Sequence, residues 1–299
     1  MWAFSKRILL FVIVNILIMI TMTVVVNLVC AFLGITPDKY ISYILILSLV
    51  MGFGGAFMSL LLSKWTAKRM LGVQVIDLQN LDPVLRNLVT TVHTLAKAAR
   101  LPKMPEVGVY NSNELNAFAT GPSKSNSLVA VSTGLLRRMR PEEVEGVLGH
   151  EISHIANGDM VTMTLLQGVI NAVVIFLARI IANIVSNSGR DSNSRSNPFI
   201  YMMTVMLFEM VFSLLGLIVV NYFSRAREFR ADSGGARFAG RDKMISALRA
   251  LQGSTDYLEK DQAALNTLKI SGKPRTALMA VFSTHPPLEE RIRRLETGR

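Results

Sequence analysis

Residues 8–33 form one apolar run, broken only by uncharged polar groups such as Asn15, Thr21 and Asn27, and residues 40–63 form a second. Each exceeds the ~20 residues that a helix needs to cross the hydrocarbon core of a bilayer. Lipid offers the backbone no hydrogen-bond partner, so runs of this length are confined to helices that satisfy their own N–H and C=O groups. Residues 160–187 and 199–222 are two further runs, each with one charge in its interior, Arg179 and Glu209. A charge within a span faces the protein interior or pairs with another charge. These segments are neighbours, so Arg179 is expected to meet Glu209. The alternative for 160–222 is a helical hairpin packed on a soluble domain and only partly in lipid. Overall the chain reads as a mainly α membrane protein with about four transmembrane helices.

The expected division is a transmembrane hairpin at 1–63, turning at Gly34–Lys39, a soluble part at 64–159, a second hairpin at 160–222 and a second soluble part at 223–299. The basic start (Lys6, Arg7) also fits a secretory signal, but the apolar part is too long and another span follows at once. Lys64, Lys68 and Arg69 follow the second run, and Arg225, Arg227 and Arg230 follow the fourth. The opposite loops carry only Lys39 in one and Arg190 with Arg195 in the other. This bias puts both termini and the soluble parts on the cytoplasmic side. The single cysteine, Cys30, lies in the first span, which fits a reducing compartment for the rest. The net charge of +11 suits an anionic membrane surface. No basic groove with interleaved aromatics is visible, so nucleic acid is not an expected partner. The nearly charge-free first two spans do not suit a transporter.

In the soluble parts, Leu71–Ile76 is β-like, and Asp82–Pro83 opens a helix reaching about Ala99. Strands are expected at Val107–Tyr110, Asn116–Thr120 and Ser127–Val131, forming a small antiparallel sheet. An exposed edge strand of such a sheet pairs with an extended peptide through main-chain hydrogen bonds. A sheet that only packs a helix fits the same residues.

The helix expected immediately after this sheet holds the most informative residues. Val147–Asp159 contains His150-Glu151-x-x-His154. Positions i and i+4 lie one above the other on a helix, so both imidazoles can face one ion. Glu151 sits where a carboxylate can take a proton from water activated by that ion. Pro141, with Glu142 and Glu143, suits the start of this helix, and Gly158 suits its end. A catalytic zinc takes three protein ligands. The most suggestive source of the third is Glu228 and Asp232, also at i and i+4, and spacing does not say which binds metal and which holds a histidine ring. Ser233-Gly234-Gly235-Ala236 would allow close approach to the His150–His154 helix. An acidic pair in a juxtamembrane salt-bridge cluster, beside Arg227 and Arg230, is the other reading. His285, ahead of Pro286-Pro287 and a terminal helix, suits either an oxyanion donor or a helix cap.

Four motifs in this order resemble those of the HtpX family of membrane-bound zinc metallopeptidases, which is related to the CAAX prenyl proteases and the OMA-type proteases. They are Asn116-Ala117-Phe118-Ala119-Thr120-Gly121, Gly149–Asp159, Ser224–Asp232 and Ser283-Thr284-His285-Pro286-Pro287. The resemblance covers the whole chain. It implies a cytoplasmic zincin-like α+β protease domain holding one zinc ion through His150, His154 and Glu228, with Asp232 behind a ligand histidine. Glu151 would be the catalytic base, His285 and Arg227 would contact the oxyanion, and Asn116, Ala117, Phe118 and Ala119 would pair with substrate. It further implies a cell inner-membrane protease of quality control and stress response that cuts misfolded or damaged membrane proteins and can cleave itself. With only about four spans, the chain lacks the multi-span chamber expected of prenyl processing. The alternative is a membrane-anchored zinc-binding regulator without hydrolytic activity.

Overall fold

The computed structural model describes residues 20–21, 24–34, 40–77, 82–187, 197–265 and 285–298, with side chains omitted from 254 to 265. Most of the first apolar run, the turn before Lys39, the polar loop centred on residues 188–196 and Ser283-Thr284 lie outside the described residues. The chain divides into two compact units, one of Met1–Leu60 with Thr162–Val220, the other of Leu61–Val161 with Asn221–Arg299.

The first unit is helical. It contains α1 (residues 24–32) and most of α2 (Tyr40–Met70), α6 (Asp159–Asn187) and α7 (Pro198–Ala239). Among the described residues, three helices, α2, α6 and α7, are long and apolar enough to cross a membrane. Their outward residues are large and apolar, among them Leu45, Ile184, Met206 and Leu214, a surface that lipid solvates and water does not. A Cβ on Gly52 would lie 2.5 Å from the Ala172 backbone nitrogen, so α2 and α6 touch backbone to backbone there. Arg179 donates to Glu209 at 2.6 Å across α6 and α7, and Tyr40 Oη donates to the Arg179 carbonyl at 3.2 Å. The charged pair thus satisfies itself, as the two isolated charges required.

The second unit is α+β. A four-stranded sheet has the order β1 (Gln74–Val75), β2 (Glu106–Tyr110), β4 (Asn126–Ser132), β3 (Ala117–Ser123). The sheet is mixed rather than antiparallel, because β2 and β4 run parallel. β3 and β4 form a tight hairpin, and the segment Asn111–Asn116 carries the chain past the β4 position first, so the returning strand fills the gap beside β2. This leaves β3 at the edge. Gly121 adopts φ +136° at a register shift between Thr120 and Ser123, and Pro122, lacking an N–H, is tolerated because this is an edge.

α3 (Pro83–Ala98) begins where Asp82 accepts the Val84 N–H at 3.0 Å. The short α4 (Thr133–Arg138) leads into α5 (Pro141–Asn157), whose first turn is fixed by Glu143 accepting the Arg140 N–H at 2.8 Å. α5 ends at Gly158 with φ +74°, the left-handed turn that glycine adopts without strain. α8 (Arg241–Leu265) continues well past Leu251, since Ser254–Leu265 has no glycine or proline to stop it. α9 (Leu288–Thr297) follows Pro287. The core joins Val92 and Leu95 of α3, Val129 and Val131 of β4, and Leu148, Ile152 and Ile155 of α5. α5 is therefore clamped on several sides, and its polar groups have a fixed frame.

Candidate metal centre

His150 and His154 stand one turn apart on α5 with their Nε2 atoms 3.1 Å apart. Glu228 approaches from α7, its Oε2 3.5 Å from His150 Nε2 and its Oε1 3.4 Å from His154 Nε2. One ligand atom from each of the three lies within 4.8 Å of the others. Glu228 is buried, with 1% of its surface exposed. This approach depends on two glycines. A Cβ on Gly234 would lie 2.0 Å from Ser153 Oγ, and one on Gly235 would lie 2.9 Å from the His150 nitrogen. Any side chain there would push α7 off α5.

The second nitrogen of each ring is also held. His150 Nδ1 lies 2.9 Å from Asp232 Oδ1, and His154 Nδ1 lies 2.6 Å from Asp159 Oδ2. Such carboxylates set the tautomer that turns Nε2 toward an ion and make the ring more basic. Arg291 of α9 grips Asp232 with two bonds of 2.8 and 2.6 Å. Burial works against charge on Glu228, but hydrogen bonds with His150, His154 and His285 prevail and hold its carboxyl far below the usual range. Burial likewise opposes charge on His154, yet Asp159 and Glu228 raise its pKa to about 9. Asp232 is lowered against burial by Arg291 and His150. Two imidazole nitrogens and one carboxylate, concentrated in one buried negative pocket, fit zinc in charge and donor type. The His150–His154–Glu228 cluster is positioned to coordinate a single zinc ion.

Around this centre, Glu151 Oε2 accepts the Ala119 N–H of β3 at 2.8 Å. The Asn116 carbonyl accepts the Ser132 N–H at 2.9 Å, facing β4. Alternation along β3 therefore turns the backbone groups of Ala117 and Ala119 outward, away from β4. Phe118 packs on Tyr110, ring centroids 5.6 Å apart. His285 is largely exposed, with Nδ1 3.0 Å from Glu228 Oε2, and Arg227 Nε lies 3.7 Å from Glu228 Oε1. The structure thus brings Glu151, Ala119, Arg227, Asp232 and His285 to the three clustered residues, whereas Phe118 packs against Tyr110 instead. Two it brings in had no assigned part. Asp159 stands five residues after His154 and reaches it only through the turn at Gly158. Arg291 lies 59 residues beyond Asp232 and carries no local signal.

A family model described as peptidase family M48 matches residues 85–298. The protease HtpX homolog of Bacillus subtilis (strain 168) is 51% identical over 301 residues, covering 98% of this chain and 99% of that protein. The chain is an HtpX-type member of peptidase family M48. The protease HtpX homolog of Bacillus licheniformis is 52% identical over 300 residues, with 98% and 99% covered. Protease HtpX of Escherichia coli (strain K12) is 46% identical over 297 residues, with 98% of each covered. Among solved structures, the crystal structure of S. mikatae Ste24p aligns with a TM-score of 0.58 at 18% identity, over 95% of this chain and 65% of that one. That likeness shows the fold. Family membership, the metal cluster and the apolar helices together make this HtpX-type chain a zinc-dependent protease and a multi-pass inner-membrane protein.

Proposed function

We propose that the chain cleaves misfolded or damaged membrane proteins at segments exposed to the cytoplasm, as part of quality control under stress. One observation carries this reading: the Glu151 carboxylate reaches from the metal cluster to the N–H of the edge strand that an extended peptide would join. His150, His154 and Glu228 would hold the ion, with Asp232 fixing the His150 ring. Zinc, when bound, supplies Lewis acidity that polarises a carbonyl and acidifies water. Glu151 accepts the proton of the attacking water and returns it to the leaving amine. His285 and Arg227 present N–H donors to the carbonyl oxygen as it gains charge. The backbone of Ala117 and the Ala119 carbonyl, within the stretch Asn116–Ala119, pair with a substrate strand, while the Ala119 N–H stays with Glu151. Pairing of this kind reads backbone rather than sequence, so it admits unfolded chain and rejects folded chain.

The membrane arrangement follows the charge bias. The hairpins of 1–63 and 160–222 span the bilayer, and both termini and the soluble parts 64–159 and 223–299 face the cytoplasm. The protease meets lipid and membrane-protein substrates, can cleave itself, and does not engage nucleic acid. Cleavage of casein in detergent, with zinc content measured on the same samples, tests the chemistry. Glu151→Gln should keep its zinc and lose cleavage by at least about a hundredfold. Normal turnover in that variant would remove Glu151 from the base role.

A further inference from the structure

Four arginines line one recess of about 570 Å³ where α7, α9 and the start of α8 come together. They are Arg230 of α7, Arg241 of α8, and Arg291 and Arg294 of α9, and the one acidic residue in the lining is Asp232. No residue of β3 takes part, so the recess is separate from the strand that would meet a substrate.

The charges in this recess do not cancel. Asp232 is taken up by Arg291, at 2.6 Å. Arg294 reaches Glu290 at 2.8 Å, but Arg293 holds the same carboxylate at 2.6 Å, so two guanidinium groups share one negative charge. Arg241 donates to the carbonyl of Glu296, which carries no net charge. Arg230 is exposed and makes no ion pair among the described residues. Like charges gathered in this way repel one another, and an anion between them relieves the repulsion. Guanidinium forks match the paired oxygens of a phosphate in particular. Two of the forks are already held, Arg294 over the Phe229 ring at 3.7 Å from its centroid and Arg241 by the Glu296 carbonyl. Long side chains fixed in advance lose less entropy on binding. The volume equals on the order of twenty water molecules at ~30 Å³ each, enough for a phosphodiester headgroup with some of its water.

Position along α7 points to the source of the phosphate. Tyr222 and Phe223 are exposed at the end of the apolar part of α7, and aromatic side chains settle at the boundary between lipid and water. Phe229 follows Tyr222, and Arg230 follows Phe223, by two helical turns, which puts them on the same face about 10 Å further along. Ala226, one turn along between them, is small and exposed, and leaves that face open. The headgroup layer adds ~5–8 Å to each side of the hydrocarbon core. The mouth of the recess therefore stands close to the depth of the lipid phosphates.

We propose that this recess binds the phosphate of an anionic lipid headgroup, held by Arg230, Arg241 and Arg294. The inference rests on α7 crossing the bilayer and not on the chemistry of the metal centre. A headgroup seated there ties α7 to the terminal helix α9, beside the Asp232–Arg291 pair that meets the His150 ring.

Native mass spectrometry tests this on the full-length protein, released from a neutral detergent containing phosphatidylglycerol or phosphatidylcholine, by counting retained lipids and giving their affinities. Phosphatidylglycerol should be held at least about tenfold more tightly than phosphatidylcholine, whose choline cancels the phosphate charge. Arg230→Gln should weaken phosphatidylglycerol at least about fivefold, and Arg230→Gln/Arg294→Gln further. The single variant alters only an exposed side chain, so it keeps the test available if the double variant misfolds. Removing two exposed charges elsewhere, in Arg86→Gln/Arg137→Gln, should change the affinity less than about twofold. Equal losses in the two double variants, or no preference for phosphatidylglycerol in the wild type, overturns the proposal. Displacement of the lipid by an equal concentration of inorganic phosphate overturns the lipid as the source, in favour of a soluble phosphate compound. Displacement by hexaglutamate overturns the phosphate itself, in favour of an acidic peptide. The readout is binding, so failure of this site and failure of the protease reading register separately.

Discussion

Asp232 and Arg291 face each other in a buried, two-pronged ion pair, at 2.8 and 2.6 Å, and the same carboxylate lies 2.9 Å from His150 Nδ1. The terminal helix α9 is thereby tied to a metal-binding ring on α5 through one side chain of α7. Arg291→Met should leave Asp232 buried with the His150 ring in place of its arginine pair, destabilising the fold by up to about 3–5 kcal/mol. Loss of the outer partner's orientation should also weaken zinc binding about 10- to 100-fold. Competition with a chromophoric chelator measures the second effect. Undiminished zinc affinity in a folded Arg291→Met protein would confine the arginine to a packing role.

Direct ligands should behave differently from the base. His150→Ala, His154→Ala and Glu228→Ala should each lose stoichiometric zinc, because two remaining ligands do not close a catalytic site. Elemental analysis after gel filtration distinguishes these from Glu151→Gln, which should stay loaded. A Glu228→Ala protein that keeps one zinc per chain would contradict the three-residue cluster.

Helix spacing makes a steric prediction. Gly234→Ala would place a methyl 2.0 Å from Ser153 Oγ and 2.8 Å from its Cβ. Overpacking of this kind costs about 1–3 kcal/mol, and it should also widen the gap between Glu228 and the histidines. Adding Ser153→Gly removes both clashing atoms and should recover zinc content. Thermal melting and zinc analysis of the single and double variants check this. A Gly234→Ala protein as stable and as zinc-rich as the wild type would show that the two helices yield.

The zinc-free protein has a pH signature. His154 has its folded pKa raised from 6.5 to about 9 by Asp159 and Glu228, which outweigh burial. A raised pKa contributes stability that is fully present below the unfolded value of 6.5 and is lost as pH rises through about 9. With EDTA present, the stability advantage of the wild type over His154→Gln should therefore shrink between pH 6.5 and pH 9.5. Zinc addition near pH 7 should release protons, since the ligating rings must be neutral. An advantage that grows across that range would contradict the assigned sign.

Within the helical unit, Arg179 and Glu209 share a bond of 2.6 Å. Removing one partner leaves the other uncompensated in an apolar setting, whereas removing both does not. Arg179→Leu/Glu209→Leu should accordingly resist unfolding by SDS better than either single variant. A double variant weaker than both singles would point to a separate use of one of the charges.

Much of this was legible in the chain because the signals are local. The spans follow from the length of apolar runs, the start and stop of α5 from Pro141 and Gly158, and the pairing of His150 with His154 from helical periodicity. The two charges within the spans, Arg179 and Glu209, announced each other for the same reason, since a lone charge in a span has nowhere to go. The glycines after Asp232 marked a close approach, though not its distance. Between Glu228 and Asp232 the spacing was neutral, since both point to one side of α7. Only packing decides that Glu228 faces the two Nε2 atoms while Asp232 meets Nδ1 of His150 and the guanidinium of Arg291. The parallel pairing of β2 with β4 was likewise invisible, because a strand's residue pattern records which face is buried and not which neighbour it has. Asp159 and Arg291 could not be assigned for a related reason: their partners are fixed by a left-handed turn and by a helix 59 residues away in sequence. Periodicity sets what each segment is, and long-range contacts, which no local pattern encodes, set which side chains finally meet.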